Sequence, residues 1–330
     1  MAENNVTLEE IAETLKSGDS FLLLCHRHPD GDTLGSALAL KRSLEYLGKK
    51  ADVACADYPA ANNEFLFYDD EELLYDAGDD YSAVIAVDVA EKSLLGDLSE
   101  IYGDKVDIKI DHHETGEDYA KHNYTDAQAA ACGEIIYRLT VMLGIPADVI
   151  AEPIYAAISS DTGGFRYSNT TSATHRIAAE MLEAGADNTF IDHMLYENRT
   201  QGEIRALTAA YSSMRYYLDG KVAVVTITNE DKQRMNLREE DMGGISSITR
   251  EIAGVVVGIT LRQDKKDCSK FRMSVRSEPG FPANELCAMF GGGGHPCAAG
   301  AEVAAPNGKT AVAVVLKHLA DDGEYGVKLV

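Results

Sequence analysis

Three short apolar runs in this 330-residue sequence stop at ionisable residues. FLLLC (21–25) runs into His26, and Asp30 and Asp32 follow around a glycine. AVIAV (83–87) runs into Asp88, and VDIKI (106–110) runs into Asp111, His112 and His113. Short apolar runs bounded by turn signals read as buried strands. Carboxylates and imidazoles are costly beside a core unless something binds them. Both demands are met if the strands share one sheet with their carboxyl ends together, the edge at which open α/β sheets bind ligands.

The segments between the runs carry helical spacing. TLGSALALKRSLEYLG (33–48) closes on a glycine, NNEFLFYDDEELLYD (62–76) reads as helical, and ACGEIIYRLTVMLG (131–144) and ADVIAEPIYAAISSD (147–161) read as two further helices, the second ending at Asp161. ADVAC (51–55) reads as another strand. Strands alternating with helices predict a three-layer, mainly parallel α/β sheet. Residues 1–190 form this first domain, 191–215 a charged helical linker, and 216–330 a smaller α/β domain. In the latter, strands KVAVVTIT, GVVVGITLRQ and KFRMSVRS precede helix PANELCAMF and the loop GGGGHPCAAG, which leads into a small-residue helix.

Formal net charge is −24, from 30 Lys and Arg against 54 Asp and Glu. That excludes a long duplex-binding surface, which needs a basic stripe. A small phosphorylated ligand remains compatible, because divalent cations and a few arginines make a local positive site in an acidic protein. DDEE (69–72) and EED (239–241) read as solvated surface. The start of the chain lacks a basic segment with an apolar core, and no run of eighteen apolar residues occurs, so the expectation is a cytoplasmic protein without membrane association. The six cysteines form no CxxC pair and read as reduced thiols.

His26, Asp30, Asp32, Asp88, Asp111, His112, His113 and Asp161 are all oxygen or nitrogen donors. A set without thiolate suits Mn²⁺ or Mg²⁺ better than structural zinc. Several aspartates can hold two ions roughly 3.5–4 Å apart, the spacing of phosphate-cleaving two-metal sites. Each piece alone has a bland reading: DHH as a histidine pair at a strand end, SSDTGG as a helix cap with a glycine turn. Their order, each at an element end, is more specific.

HRHPDGDTLGS, VDVA, DHH and SSDTGGFRYS together resemble the successive motifs of the DHH phosphoesterase superfamily, and RSEPGFPANELCAMFGGGGHPCAAG resembles the end of its DHH-associated C-terminal domain. The resemblance covers essentially the whole chain, and the layout is similar to the stand-alone branch that degrades nanoRNA and dephosphorylates 3′-phosphoadenosine 5′-phosphate (pAp). It implies an active site in the cleft between two domains, with two Mn²⁺ (Mg²⁺ as the alternative) activating a hydroxide. His26, Asp30 and Asp88 would hold one ion; Asp32, Asp88, His112 and Asp161 the other, with Asp88 bridging. His113 would act at the scissile phosphate, Asp111 would orient a histidine, His28 would lie behind the ligands, and Arg166 would reach the substrate. Homodimer formation is compatible with the resemblance.

In the C-terminal motif, glycines let backbone N–H groups approach a phosphate, and an arginine can bind one bidentately. The resemblance assigns substrate binding to Arg276, Gly292, Gly293, Gly294 and His295, with Arg262 and Ser277 as weaker candidates. The chain departs from the family pattern in two places: DHHETGEDYAKHNY lacks an early asparagine, Asn123 coming later, and AAACGE (129–134) replaces a hydroxyl-rich helix start. Neither touches a metal ligand; both bear on substrate fit. The expected substrates are short oligoribonucleotides and pAp. The alternatives are a phosphodiesterase of pApA or cyclic dinucleotides, and a catalytically silent nucleotide-binding protein.

Overall fold

The computed structural model describes residues 5–67, 71–74, 78 and 80–321. Contacts divide the chain into two compact units, 1–198 and 199–330.

The first unit opens with helix α1 (Leu8–Ser17), started by a Thr7–Glu10 capping box that satisfies orphan N–H groups reciprocally. Its sheet contains β1 (Ser20–Leu24), β2 (Lys50–Ala54), β3 (Leu73–Leu74), β4 (Ala83–Val87), β5 (Ile108–Asp111) and β6 (His122–Thr125). All pairings are parallel, in the order β3-β2-β1-β4-β5-β6. The order reverses between β1 and β4, so the loops after these two strands diverge and leave a crevice at their carboxyl ends. Helices α2 (Gly31–Tyr46), α3 (Leu98–Tyr102), α4 (Cys132–Leu143), α5 (Ala147–Asp161), α6 (Ser172–Glu183) and α7 (Asn188–Asp192) complete the unit. One buried cluster joins β1, β2, β4 and β5 to α1, α2, α4 and α5; a second lies on the opposite sheet face under α3. This is the three-layer arrangement expected from the alternating pattern.

Glycine and alanine set the approach of α5. A Cβ at Gly35 would lie 2.4 Å from the Pro153 carbonyl oxygen, at Gly31 2.7 Å from Ser160 Cβ, and at Gly133 2.7 Å from Ala157 Cβ. Two antiparallel helices thus nearly touch along their backbones. The start of α2, with Asp30 and Asp32, is held against the end of α5, with Asp161.

Several expectations need correction. The helix expected over 62–76 is, in its described residues, one 3₁₀ turn (Glu64–Leu66) and the short strand β3. Of the acidic run at 69–72, Glu71 is not solvated: it is buried and forms a bidentate pair with Arg42, at 3.0 and 2.7 Å. Residues 69 and 70 lie outside the described residues. β6 was not expected because HNYT carries no apolar signal; it pairs with β5, and on its other side Asn123 makes a single bridge to Asn5. Cys25, Cys55, Cys132 and Cys287 are buried, and all six cysteines are free thiols.

The second unit contains α8 (Gln201–Ser213), β7 (Arg215–Tyr217), β8 (Val222–Ile227), α9 (Asn229–Met235), β9 (Val257–Gln263), β10 (Lys270–Ser277), α10 (Ala283–Ala288), β11 (Gly293–His295), β12 (Ala298–Ala304) and α11 (Gly308–Asp321). Its mixed sheet runs β11-β12-β10-β9-β8-β7, parallel only between β8 and β9. The linker expected to be helical over 191–215 gives way to strand β7 at Arg215, and AAGAEVA is a strand rather than a helix, because it pairs with β10 along its length. Asp241 of the EED run is buried and receives the backbone N–H of Arg238 at 2.8 Å, so it too is not solvated surface.

Gly35→Ala should destabilise the first unit. Helix propensity alone favours alanine by about 1 kcal/mol, but overpacking against a backbone oxygen costs about 1–3 kcal/mol. A urea titration should show a lower midpoint; an unchanged or higher midpoint would show that α5 can move away freely.

Candidate metal and phosphoester site

The structure brings six sequence-predicted residues to the carboxyl edge of the first sheet. Asp30 is the N-cap of α2, where its Oδ1 accepts the N–H groups of Asp32 and Thr33. Asp32, fully buried, receives N–H bonds from Cys132 (2.7 Å) and Gly133 (3.0 Å), and so caps α4 from another helix. This explains how α4 starts at AAACGE without a hydroxyl of its own. Asp88 follows β4 with φ +60°, a left-handed conformation that a non-glycine residue adopts at about 1–2 kcal/mol. Asp161 is the last residue of α5, a position whose dipole disfavours a carboxylate and favours a cation.

The two predicted ligand histidines are turned alike. His26 Nδ1 lies 2.8 Å from the Arg27 carbonyl and His112 Nδ1 3.3 Å from that of Ala129. A carbonyl accepts only, so each Nδ1 carries a hydrogen and each ring turns its Nε2 toward the carboxylates. His26 Nε2 lies 3.6 Å from both Asp30 and Asp88. His112 Nε2 lies 3.7, 3.5 and 3.3 Å from Asp32, Asp88 and Asp161.

Two donor groups suited to a cation are His26, Asp30 and Asp88, and Asp32, His112 and Asp161; a third, Asp88, His112 and His113, overlaps both. Asp88 sits beside both, its Oδ2 near His26 and its Oδ1 near His112. That Oδ1 is buried and has no hydrogen-bond partner. The electrostatics agree. Burial, then repulsion by Asp32, Asp30 and Asp161, pushes Asp88 well above the usual carboxylate range. Burial with Asp32 and Asp30 does the same to Asp161. Asp32 is raised by burial, with His112 opposing. Burial opposes charge on His26, yet Asp30 outweighs it and lifts the imidazole to about 9. Burial would raise Asp30, but His26 and two backbone N–H groups bring it down to about 2. Crowded together, Asp88, Asp161 and His26 thus hold protons more tightly than free groups do, and a divalent cation can take the place of those protons, so the residues present fit metal.

His113 is placed differently. Its Nδ1 donates to Asp111 Oδ1 at 2.7 Å, and Asp111 also receives the His112 N–H at 2.9 Å. Asp111 thus holds a histidine rather than facing either donor group. His28 is exposed and bonds Asp57, at 2.9 Å. Arg166 lies in the turn after α5; its Nε donates to the Gly163 carbonyl and its guanidinium sits 5.5 Å above the Tyr196 ring centre. Asn123 is buried and bonds Ala120 at both N–H and carbonyl, a structural role. The sequence reading passes over Lys109, whose signal is a cation inside an otherwise apolar strand.

The remaining predicted residues belong to the second unit. Arg276 is on β10, its Nη1 donating to the Val275 carbonyl at 3.0 Å. Gly293 and His295 form β11, paired with Gly300 and Ala298; the His295 side chain lies outside the described residues. A Cβ at Gly292 would lie 2.1 Å from the Gly300 oxygen, and at Gly294 (φ +140°) 2.6 Å from that of Ala298, whereas a Cβ at Gly293 meets nothing. Two of the glycines are therefore required by the hairpin itself. The Ser277 hydroxyl is committed to Phe281, at 2.8 Å, and Arg262 Nη1 reaches the Met242 carbonyl at 3.4 Å.

A family model described as the DHH family N-terminal domain matches residues 20–158, and a DHHA1 domain model matches 219–321. The bifunctional oligoribonuclease and PAP phosphatase NrnA of Thermus thermophilus is 31% identical over 300 residues, covering 88% of this chain and 86% of that protein. The chain belongs to the DHH family. NrnA of Bacillus subtilis is 26% identical over 303 residues, covering 89% of this chain and 92% of that protein. The crystal structure of an exopolyphosphatase-related protein from Bacteroides fragilis superposes with a TM-score of 0.86 at 26% identity, covering 94% of each chain. As a DHH-family member the chain is a hydrolase of the phosphoesterase class, acting on nucleotides. No helix among the described residues is long and apolar enough to cross a membrane.

The metal-free protein should lose stability as pH rises. His26, raised from 6.5 to about 9, contributes stability that is present below 6.5 and lost on rising through 9. The raised carboxylates Asp88 and Asp161 act in the same sense from 3.8 upward, because the folded state binds the protons more tightly. Thermal melts in chelator at pH 6.5 and pH 9 should show this fall, and excess divalent cation should flatten it. Equal melting temperatures in chelator, with no gain on adding cation, would count against the site.

Proposed function

We propose that the chain hydrolyses the phosphate esters of short nucleotides, both oligoribonucleotides of a few units and pAp. Two divalent cations assist, Mn²⁺ first and Mg²⁺ as the alternative. The observation that carries this reading is Asp88, buried between two donor groups with Oδ1 unsatisfied. The relatives named as oligoribonuclease and PAP phosphatase support the substrate class. The net charge of −24 favours short substrates, since a long polyanion is repelled before it reaches a local positive site.

His26, Asp30 and Asp88 would hold one cation, and Asp32, Asp88, His112 and Asp161 the other. When bound, such cations supply Lewis-acid charge to the phosphoryl oxygens and acidify water toward neutrality. Asp88, with Oδ2 near His26 and Oδ1 near His112, would belong to both sets. Asp111 keeps the hydrogen of His113 on Nδ1, which sets the ring so that its other edge can hold or deliver a proton at the leaving oxygen. Arg166 would neutralise a phosphate from the turn after α5. The second unit would bind the nucleotide, with Arg276 engaging phosphate as a fork and Gly293 offering an N–H without a side chain in the way.

Turnover should be measured with Mn²⁺ on pAp, pApA, RNAs of two, five and twenty-four nucleotides, and cyclic di-AMP. Preference for pAp and the shortest RNAs is expected. Activity confined to pApA or the cyclic dinucleotide would move the protein to second-messenger turnover, and binding without turnover would make it a silent nucleotide-binding protein. In the same assays Asp88→Ala should abolish turnover, whereas Arg276→Ala should mainly raise KM. Near-wild-type rates in Asp88→Ala with unchanged metal content would refute the two-cation reading.

A further inference from the structure

Lys109 is a buried cation in a central strand, two residues before Asp111 on the same face of β5. An ammonium in such a place is tolerated only if it is paired and hydrogen-bonded. Its Nζ donates to the Glu117 carbonyl at 2.9 Å, lies 3.6 Å from Asp111 Oδ2 and 4.0 Å from Asp118 Oδ1. Asp111 is completely buried, and its two oxygens are divided. Oδ1 receives His113 Nδ1 and the backbone N–H groups of His112 and His113, at 2.7, 2.9 and 3.4 Å. Oδ2 has no hydrogen bond and faces only the lysine. Lys109 also reaches the loop after His113, where Glu117 N–H bonds the Ala90 carbonyl at 2.8 Å, two residues after Asp88. A cavity of about 360 Å³ opens beside Lys109 and His113, lined also by Asn123 and Thr125, so the ring is not wedged in place by close packing on that side.

We propose that Lys109 is a positioning residue for hydrolysis: it holds Asp111 in the orientation that fixes the His113 ring. This rests on the role given to His113 above. The carboxylate would otherwise be free to turn about its terminal torsion, which is broad and roughly two-fold, and Oδ1 would leave the three N–H groups it gathers. An ammonium on the far oxygen removes that freedom. Groups that orient a site residue through its hydrogen-bond partner change activity by about 10–100-fold when removed.

Lys109→Met keeps the length and apolar stem while removing the charge; it leaves Asp111 buried without its ammonium, so a lower melting temperature is expected and the assays are run well below it. The expected result is a kcat about ten-fold or more below wild type, with KM and Mn²⁺ stoichiometry little changed at a temperature where the variant stays folded. In a His113→Ala background the same substitution should cost nothing further, since both changes act through one ring. An equal loss in both backgrounds overturns the proposal. A readout independent of turnover separates this proposal from the substrate assignment. In the full-length Mg²⁺-loaded protein with ¹⁵N-labelled histidine, the His113 ring should be the Nδ1–H tautomer in wild type and become a mixture in Lys109→Met, with His112 unchanged. An unchanged His113 signal overturns the positioning role whether or not any tested nucleotide is cleaved. A changed signal with no turnover of any substrate leaves the positioning role standing and refutes the substrate assignment.

Discussion

Repulsion among four carboxylates governs the first unit. Asp30, Asp32, Asp88 and Asp161 come from three different segments and converge where burial already disfavours their charge. Holding them together takes many fixed contacts. Asp30 and Asp32 each spend oxygens on helix N-termini, Asp88 occupies a left-handed backbone conformation, and Asp161 stands at the unfavourable end of α5. The helix N-termini favour the charge on Asp30 and Asp32, whereas the left-handed backbone of Asp88 and the C-terminal place of Asp161 are costly for an isolated carboxylate; all are compatible with a cation in the middle.

The near-contact of α2 and α5 makes the convergence rigid. Gly31 and Gly35 remove the side chains that would separate these two helices, Gly133 does the same between α4 and α5, and the separation of Asp30 and Asp32 from Asp161 follows from that spacing. The histidines are fixed by a complementary device, a carbonyl on each Nδ1. His113 is the exception. It is held by a carboxylate, and that carboxylate faces a lysine, so the neighbouring histidines of one motif are fixed by different partners.

Much of this was legible along the chain. Apolar runs ending in ionisable residues predicted β1, β4 and β5 and the edge of the sheet at which the site would lie. The helical spacing predicted α2, α4 and α5. Segments whose structure depends on neighbours rather than on pattern were not legible. HNYT becomes a strand because β5 offers an edge, and AAGAEVA becomes a strand because β10 does, although alanine alone favours helix. Glu71 looked like surface because its partner Arg42 is 29 residues away in sequence.

The sequence by itself determined the donor chemistry: a set of oxygen and nitrogen ligands without sulfur, a hydrophobic pattern that can only close as a parallel sheet, and a net charge hostile to long nucleic acids. It could do so because residue type and spacing are local properties of the chain. Only the tertiary structure decided that Asp32 caps α4, that Asp88 stands beside both donor groups with an unsatisfied oxygen, and that Lys109 faces Asp111. These depend on which strands become neighbours and on how closely two helices approach, and the distances involved are set by packing across gaps of up to about a hundred residues in the chain, far beyond the reach of any periodicity.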